Sequence, residues 1–171
     1  MDARRESELT MTKSPTITER KSERELVVTR TINGPARLVF EAFTKPELFK
    51  RWWVPKSFGL TLLSCELDVR VGGTYRLVFS HQGSEVAFFG KYLEVTLNSR
   101  LVWTNDEGDG AITTATFEEK DGKTLLMVHD LYPSKEALDE AIASGSTGGW
   151  SEQLEQLDEV LVSLGGNSDR K

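Results

Sequence analysis

The chain has one cysteine, Cys65, among its 171 residues, which excludes an internal disulfide and any cysteine-based zinc cluster. Histidine is nearly as scarce. His81 and His129 are the only two, and neither has a partner at a ligand spacing such as His-Glu-x-x-His. No metal and no cofactor is expected. Long apolar runs are also missing: nothing approaches the roughly 20 residues that cross a bilayer. Residues 1–25 mix Arg, Lys, Glu, Ser and Thr without the apolar stretch of a secretory leader. The expectation is a cytoplasmic protein with no membrane insertion. Positive charge is in deficit, with 21 Lys and Arg against 27 Asp and Glu and a net charge of -6. Such a field repels phosphate backbones and argues against nucleic acid as a partner. Catalytic signatures are absent too. There is no Gly-x-Ser-x-Gly elbow, Gly72-Gly73 leads into a strand instead of a helix N-terminus, and Cys65 lacks a histidine base.

What is present fits one domain, since 171 residues fall within the roughly 100–200 that share a single core. Residues 1–22 carry few groups to bury and read as a mostly flexible segment, in which Thr16–Thr18 could add a short strand. Glu25–Ile32 is a β-branched run, and Asn33-Gly34-Pro35 ends it with proline placed at a helix start. Leu38, Val39, Ala42 and Phe43 then recur at helical spacing, and Pro46 opens a second short helix through Trp53. Six β-rich segments follow: Thr61–Val69, Thr74–Ser80, Glu85–Val95, Leu101–Asn105, Ile112–Glu118 and Thr124–Leu131. Turn formers separate them, Asp121-Gly122 being the sharpest hairpin signal. Ser134 caps a helix to about Ser144. Glycines between 145 and 149 interrupt it, and a last amphipathic helix carries Trp150, Leu154, Leu157, Val160, Leu161 and Leu164 on one stripe. The domain spans 23–165, with 166–171 as a flexible tail. The class is α+β, with an antiparallel sheet of about seven strands and a long C-terminal helix.

Strand alternation puts Tyr75, Leu77 and Phe79 on one face, and Phe88, Gly90, Tyr92 and Glu94 on another shared face. Gly90 would let a backbone or a ligand approach closely. Singly, each aromatic is most simply core; together, beside a long helix, they favour a pocket. Trp52 and Trp53 point about 100° apart on a helix, so one belongs in the core and the other at an entrance. Phe58 sits in the loop behind them, as part of a lid or as the loop's anchor. Trp150 restarts the last helix after three glycines and either enters the cavity mouth or caps the sheet. His129 and Asp130 are adjacent on a strand, so one of them points inward. A buried Asp130 could hold a polar head group, whereas an exposed one would simply reach solvent.

Several stretches together carry a resemblance: PARLVFEAFTKPELFKRWW (Pro35–Trp53), DVRVGGTYR (Asp68–Arg76), FFGKYLEV with SRLVWT (Phe88–Thr104), and LYPSKEALDEAIASG through Trp150–Leu161. From about Thr16 to Leu164 the chain resembles the START-like (SRPBCC) superfamily, and within it the group named for activators of the heat shock protein 90 ATPase. The resemblance implies a helix-grip fold of the birch-pollen-allergen kind, its curved sheet wrapped on the C-terminal helix. It also implies a cavity between the two that holds a small hydrophobic or amphipathic molecule. Trp53, Phe58, Tyr75, Leu77 and Phe79 are the candidate lining residues, with Phe88, Tyr92, Asp130, Trp150 and Leu154. Non-enzymatic binding is the leading expectation. A second is a chaperone-interacting protein like the eukaryotic namesake. A third is a cyclase- or hydrolase-like enzyme working in the same cavity through Glu94, His129 and Asp130.

Overall fold

A computed structural model describes residues 16–106, 110–145, 147 and 149–164. Residues 1–15 of the segment expected to be flexible over 1–22, and the tail expected over 166–171, lie outside them. Eight strands form one antiparallel sheet: β1 (Ile17–Arg20), β2 (Glu25–Ile32), β3 (Thr61–Leu67), β4 (Thr74–His81), β5 (Ser84–Thr96), β6 (Arg100–Thr104), β7 (Ile112–Lys120) and β8 (Lys123–Leu131). Their spatial order is β1-β2-β8-β7-β6-β5-β4-β3. The eighth strand, beyond the seven expected, is β1. It falls within the segment read as mostly flexible, and the backbone of Leu26–Thr29 pairs with it.

Period-two alternation fixes which side of the sheet is buried. On β2, Leu26, Val28, Arg30 and Ile32 point inward, directly opposite Asp130, Val128, Leu126 and Thr124 of β8. A slip of one residue would expose this whole set, which is why the register is so strongly specified. On β5 the alternation breaks. A bulge between Tyr92 and Glu94 shifts the face by one residue, so Val95 packs on the core while Glu94 meets Arg100 at 3.0 Å on the surface. The face expected to hold Phe88, Gly90, Tyr92 and Glu94 therefore ends at Tyr92.

Helix α1 (Ala36–Thr44) starts after Pro35, which serves as its N-cap, and α2 (Pro46–Phe49) follows at once. Sequence spacing extends this second helix to Trp53, but the chain leaves it at Phe49. Arg51 and Trp52 donate to the carbonyls three residues back, the tighter pattern of a fraying end. The next carbonyls, of Trp52, Trp53 and Val54, accept from side chains of the terminal helix instead. Helix α3 (Lys135–Ala143) has the expected cap, Ser134 Oγ accepting from Ala137 N at 3.0 Å, and α4 (Trp150–Leu164) is the long terminal helix.

The core lies between α4, α1–α2 and the sheet. Trp52 is fully buried and donates its indole N–H to Ala42 O at 2.9 Å, with Phe43 tilted against it at 4.8 Å between ring centroids. One charged pair also enters this interior. Arg30 donates from Nε and Nη2 to Asp158 Oδ2, each at 2.9 Å, and Asn33 N donates to Asp158 Oδ1 at 2.8 Å. Both side chains are buried, so the pair ties α4 to β2 in one register, since an unmatched charge there would be costly.

Candidate functional site

Two cavities open on the β3–β5 half of the sheet. The inner one, about 40 Å³, lies between the short helices and the sheet, with Phe43, Phe49 and Trp53 on one side and Tyr75, Leu77 and Tyr92 on the other. Leu67, Leu101, Trp103 and Asn105 complete its wall. The outer one, about 380 Å³, is bounded by the loop from Trp53 to Leu60, the β4–β5 tips (Phe79, His81, Val86) and the start of α4 (Gly149, Trp150, Gln153). Trp53 and Phe88 line both cavities, and so form the partition between them.

Along the middle of α4, Leu154, Leu157 and Leu161 are fully buried in the main core. The short helices, with Trp52 wedged beneath them, fill the region between that stripe and the sheet. The outer cavity lies beyond them, between the sheet and the first turn of α4.

Side chains of α4 hold the loop that walls the outer cavity. Gln156 Nε2 donates to Trp52 O at 3.0 Å and Val54 O at 2.9 Å, while its Oε1 accepts from Lys56 N at 2.9 Å. Gln153 Nε2 donates to Trp53 O. Glu152 accepts from Ser57 N at 2.9 Å and from Ser57 Oγ at 2.5 Å. The Ser57 hydroxyl, then its N–H, hold the Glu152 carboxyl below its ordinary value. At Gly149 an added Cβ would lie 3.3 Å from both Phe58 Cζ and Pro55 Cγ, so the loop packs closely against the start of the helix.

Eight of the ten candidate lining residues meet these cavities: Tyr75, Leu77 and Tyr92 the inner, Phe58, Phe79 and Trp150 the outer, and Trp53 and Phe88 both. The adjacent tryptophans divide as their angular offset requires. Trp52 is buried in the core, and Trp53 stands at the partition, its ring edge-on to Trp150 with centroids 5.6 Å apart. Leu154 and Asp130 line neither cavity. Leu154 is core, and Asp130 is buried facing β7, where its carboxylate accepts from Thr113 Oγ1 at 2.6 Å. That hydroxyl in turn accepts from Asn105 Nδ2 at 3.0 Å. Asp130 thus reaches the inner cavity only through Thr113 and Asn105, and it is not the solvent-facing strand-end carboxylate of the alternative reading.

The three candidate acids and bases do not converge. Glu94 pairs with Arg100, His129 points outward to Glu25 at 2.9 Å, and Asp130 points inward. Burial pushes the Cys65 thiol up to about 11, which keeps it protonated and unreactive. Among the described residues no group of His, Cys, Asp and Glu could hold a metal ion, and no helix is long and apolar enough to cross a membrane. Reasoning from sequence misses Asn105, Trp103 and Phe49 in the inner cavity and His81 and Gln153 in the outer. Trp103 carries a usable signal, since the register pairs it with Tyr92.

The family model described as Activator of Hsp90 ATPase homolog 1-like protein matches residues 33–162. A solved structure from Chromobacterium violaceum is 29% identical, with a TM-score of 0.68 over 80% of this chain and 96% of that one. Another from Nitrosomonas europaea is 26% identical, with a TM-score of 0.76 over 84% of this chain and 97% of that one. An AHSA1-like protein from Aeromonas hydrophila, 19% identical with a TM-score of 0.66 over 82% and 95%, shares the fold. No curated protein matches. With the eight-stranded antiparallel sheet, the terminal helix and a match running from Asn33 into α4, the chain belongs to the Activator of Hsp90 ATPase homolog 1-like family, on the START-like helix-grip fold.

Proposed function

We propose that this protein is a cytoplasmic, non-enzymatic module that binds a small hydrophobic or amphipathic molecule in the paired cavities. The observation that supports it most is the outer cavity. At about 380 Å³ it falls within the roughly 300–1,000 Å³ typical of small-molecule sites, and its wall of aromatic and aliphatic side chains broken by few polar groups is the usual make-up of such sites. The separation of Glu94, His129 and Asp130 supports binding over turnover. The site for this role comprises Trp53, Phe58, Phe79, Phe88 and Trp150, with Tyr75, Leu77 and Tyr92 beneath.

A thermal-shift and native mass-spectrometry screen of apolar metabolites, lipids and aromatic polyketide-like compounds tests the reading. A ligand at a hundredfold excess over Kd contributes about 2.7 kcal/mol, which raises Tm by several degrees in a domain of this size. No shift and no bound mass across the set would refute it. The family's name supplies the second reading, a protein that binds a chaperone and stimulates its ATPase. A pulldown with the cognate chaperone and an ATPase assay decide that reading separately from ligand binding.

A further inference from the structure

The walls of both cavities also restrict the chemistry of what they hold. Among the described residues no Asp, Glu, Lys or Arg lines either one; the only ionisable side chains are the phenols of Tyr75 and Tyr92 and the imidazole of His81. A charged ligand group moved from water into the inner cavity would lose its hydration without gaining a counter-charge. Uncharged polar groups are treated differently. Tyr92 is 4% exposed, and among the described residues its hydroxyl makes no hydrogen bond. A buried phenol ordinarily finds a partner. Among the described residues no polar side-chain atom that is sealed from water lacks a partner, so the Tyr92 oxygen remains reachable by a water-sized group, and Tyr92 lines the inner cavity. Burial holds this phenol protonated, well above its ordinary range, so it can both donate and accept. A volume of about 40 Å³ exceeds the roughly 10–15 Å³ needed for one water and suits a single small polar group. The partition above it is open to solvent on one side, where Phe88 is 40% exposed.

Resting on the ligand-binding reading above, we propose that the occupant is an uncharged aromatic molecule bearing a hydroxyl. Its rings lie in the outer cavity against Trp53 and Trp150, and the hydroxyl passes Phe88 to hydrogen-bond with Tyr92. Carboxylates and cationic amphiphiles should bind more weakly, because these walls offer their charge little compensation.

Isothermal titration with naphthalene, methylnaphthalene, naphthol and naphthoate tests this on the unmodified protein and on Tyr92→Phe. Naphthol should bind about tenfold tighter than methylnaphthalene, the scale of one buried hydrogen bond, and naphthoate at least tenfold weaker than naphthol. Tyr92→Phe should erase the naphthol advantage and leave methylnaphthalene unchanged. If the hydrocarbons bind but naphthol has no advantage, or naphthoate binds as tightly as naphthol, the head-group inference is wrong while the binding reading stands. If none of the four binds, the head-group inference fails, and the wider screen above decides the binding reading separately. Should Tyr92→Phe not fold, the naphthol–methylnaphthalene comparison on the unmodified protein decides the matter from the ligand side.

Discussion

Replacing Gln156 with alanine removes the side chain that holds the cavity loop in place. Gln156 is 6% exposed and makes three hydrogen bonds, to Trp52 O, to Val54 O and from Lys56 N. Lys56 is exposed, so its N–H can return to water. Trp52 is fully buried, and its carbonyl loses this donor with little access to solvent. Leaving a buried polar group unsatisfied costs about 1–3 kcal/mol, so Gln156→Ala should destabilise the protein by about 2–4 kcal/mol. Equilibrium urea unfolding measures this, and an unchanged m-value would show that the fold is kept. Because the freed loop walls the outer cavity, apparent affinity should fall by the fraction of molecules with the loop displaced. Gln156→Glu is a sharper control. It keeps the acceptor for Lys56 N but turns a carboxylate toward two carbonyl oxygens, which raises its folded-state pKa above the unfolded value. Its stability should then be best below the usual carboxylate range and fall as pH rises through the raised value. A loss below about 0.5 kcal/mol for Gln156→Ala, the range of an ordinary surface change, would refute the claim that this side chain secures the loop.

Trp150→Ala should affect both fold and site, since one edge of the indole packs on Trp53 and another faces the cavity. The stability loss in urea should be about 2–3 kcal/mol, below that of a fully enclosed tryptophan, and calorimetric ligand affinity should weaken by about 1–3 kcal/mol; unchanged affinity in a folded variant would remove Trp150 from the site. Gly90→Ala should lose about 2 kcal/mol or more in thermal unfolding, because the added Cβ would lie 2.1 Å from the backbone oxygen of Thr104. Glu152 sits below its ordinary 4.5, held there first by the Ser57 hydroxyl. Its grip on the loop is therefore complete above 4.5 and is lost as pH falls through the lower folded value, so the Ser57 amide resonance should titrate with a midpoint below 4.5 and Ser57→Ala should move the Glu152 midpoint upward.

Much of this architecture is written locally. Asp121-Gly122 takes the positive φ values, 57° and 80°, that a tight hairpin demands, and Ser134 caps its helix as its neighbours suggest. The period of two places Tyr75, Leu77 and Phe79 on the buried face of β4. Local pattern carries no sign of the β5 bulge, because one added residue changes no residue's propensity, and strict alternation therefore misplaces Glu94. The position of the cavity is equally hidden. It depends on how far α1 and α2 intrude beneath the sheet, which is decided by the fit of Phe43 and Trp52 against Phe117 and α4. The glutamines of α4 read as ordinary polar helix residues; their role emerges only when backbone about 100 residues earlier is brought against them.

The four indole N–H groups offer the most direct test of where an apolar molecule goes. Trp53 and Trp150 face the outer cavity, Trp103 lines only the inner one, and Trp52 is sealed beneath with its N–H bound to Ala42 O. In a ¹⁵N-resolved titration with naphthalene, which has no head group, the indole signals of Trp53 and Trp150 should shift saturably with one common Kd while that of Trp52 stays fixed. Shifts that never saturate, or a Trp52 signal that moves as far as the other two, would contradict binding in this cavity.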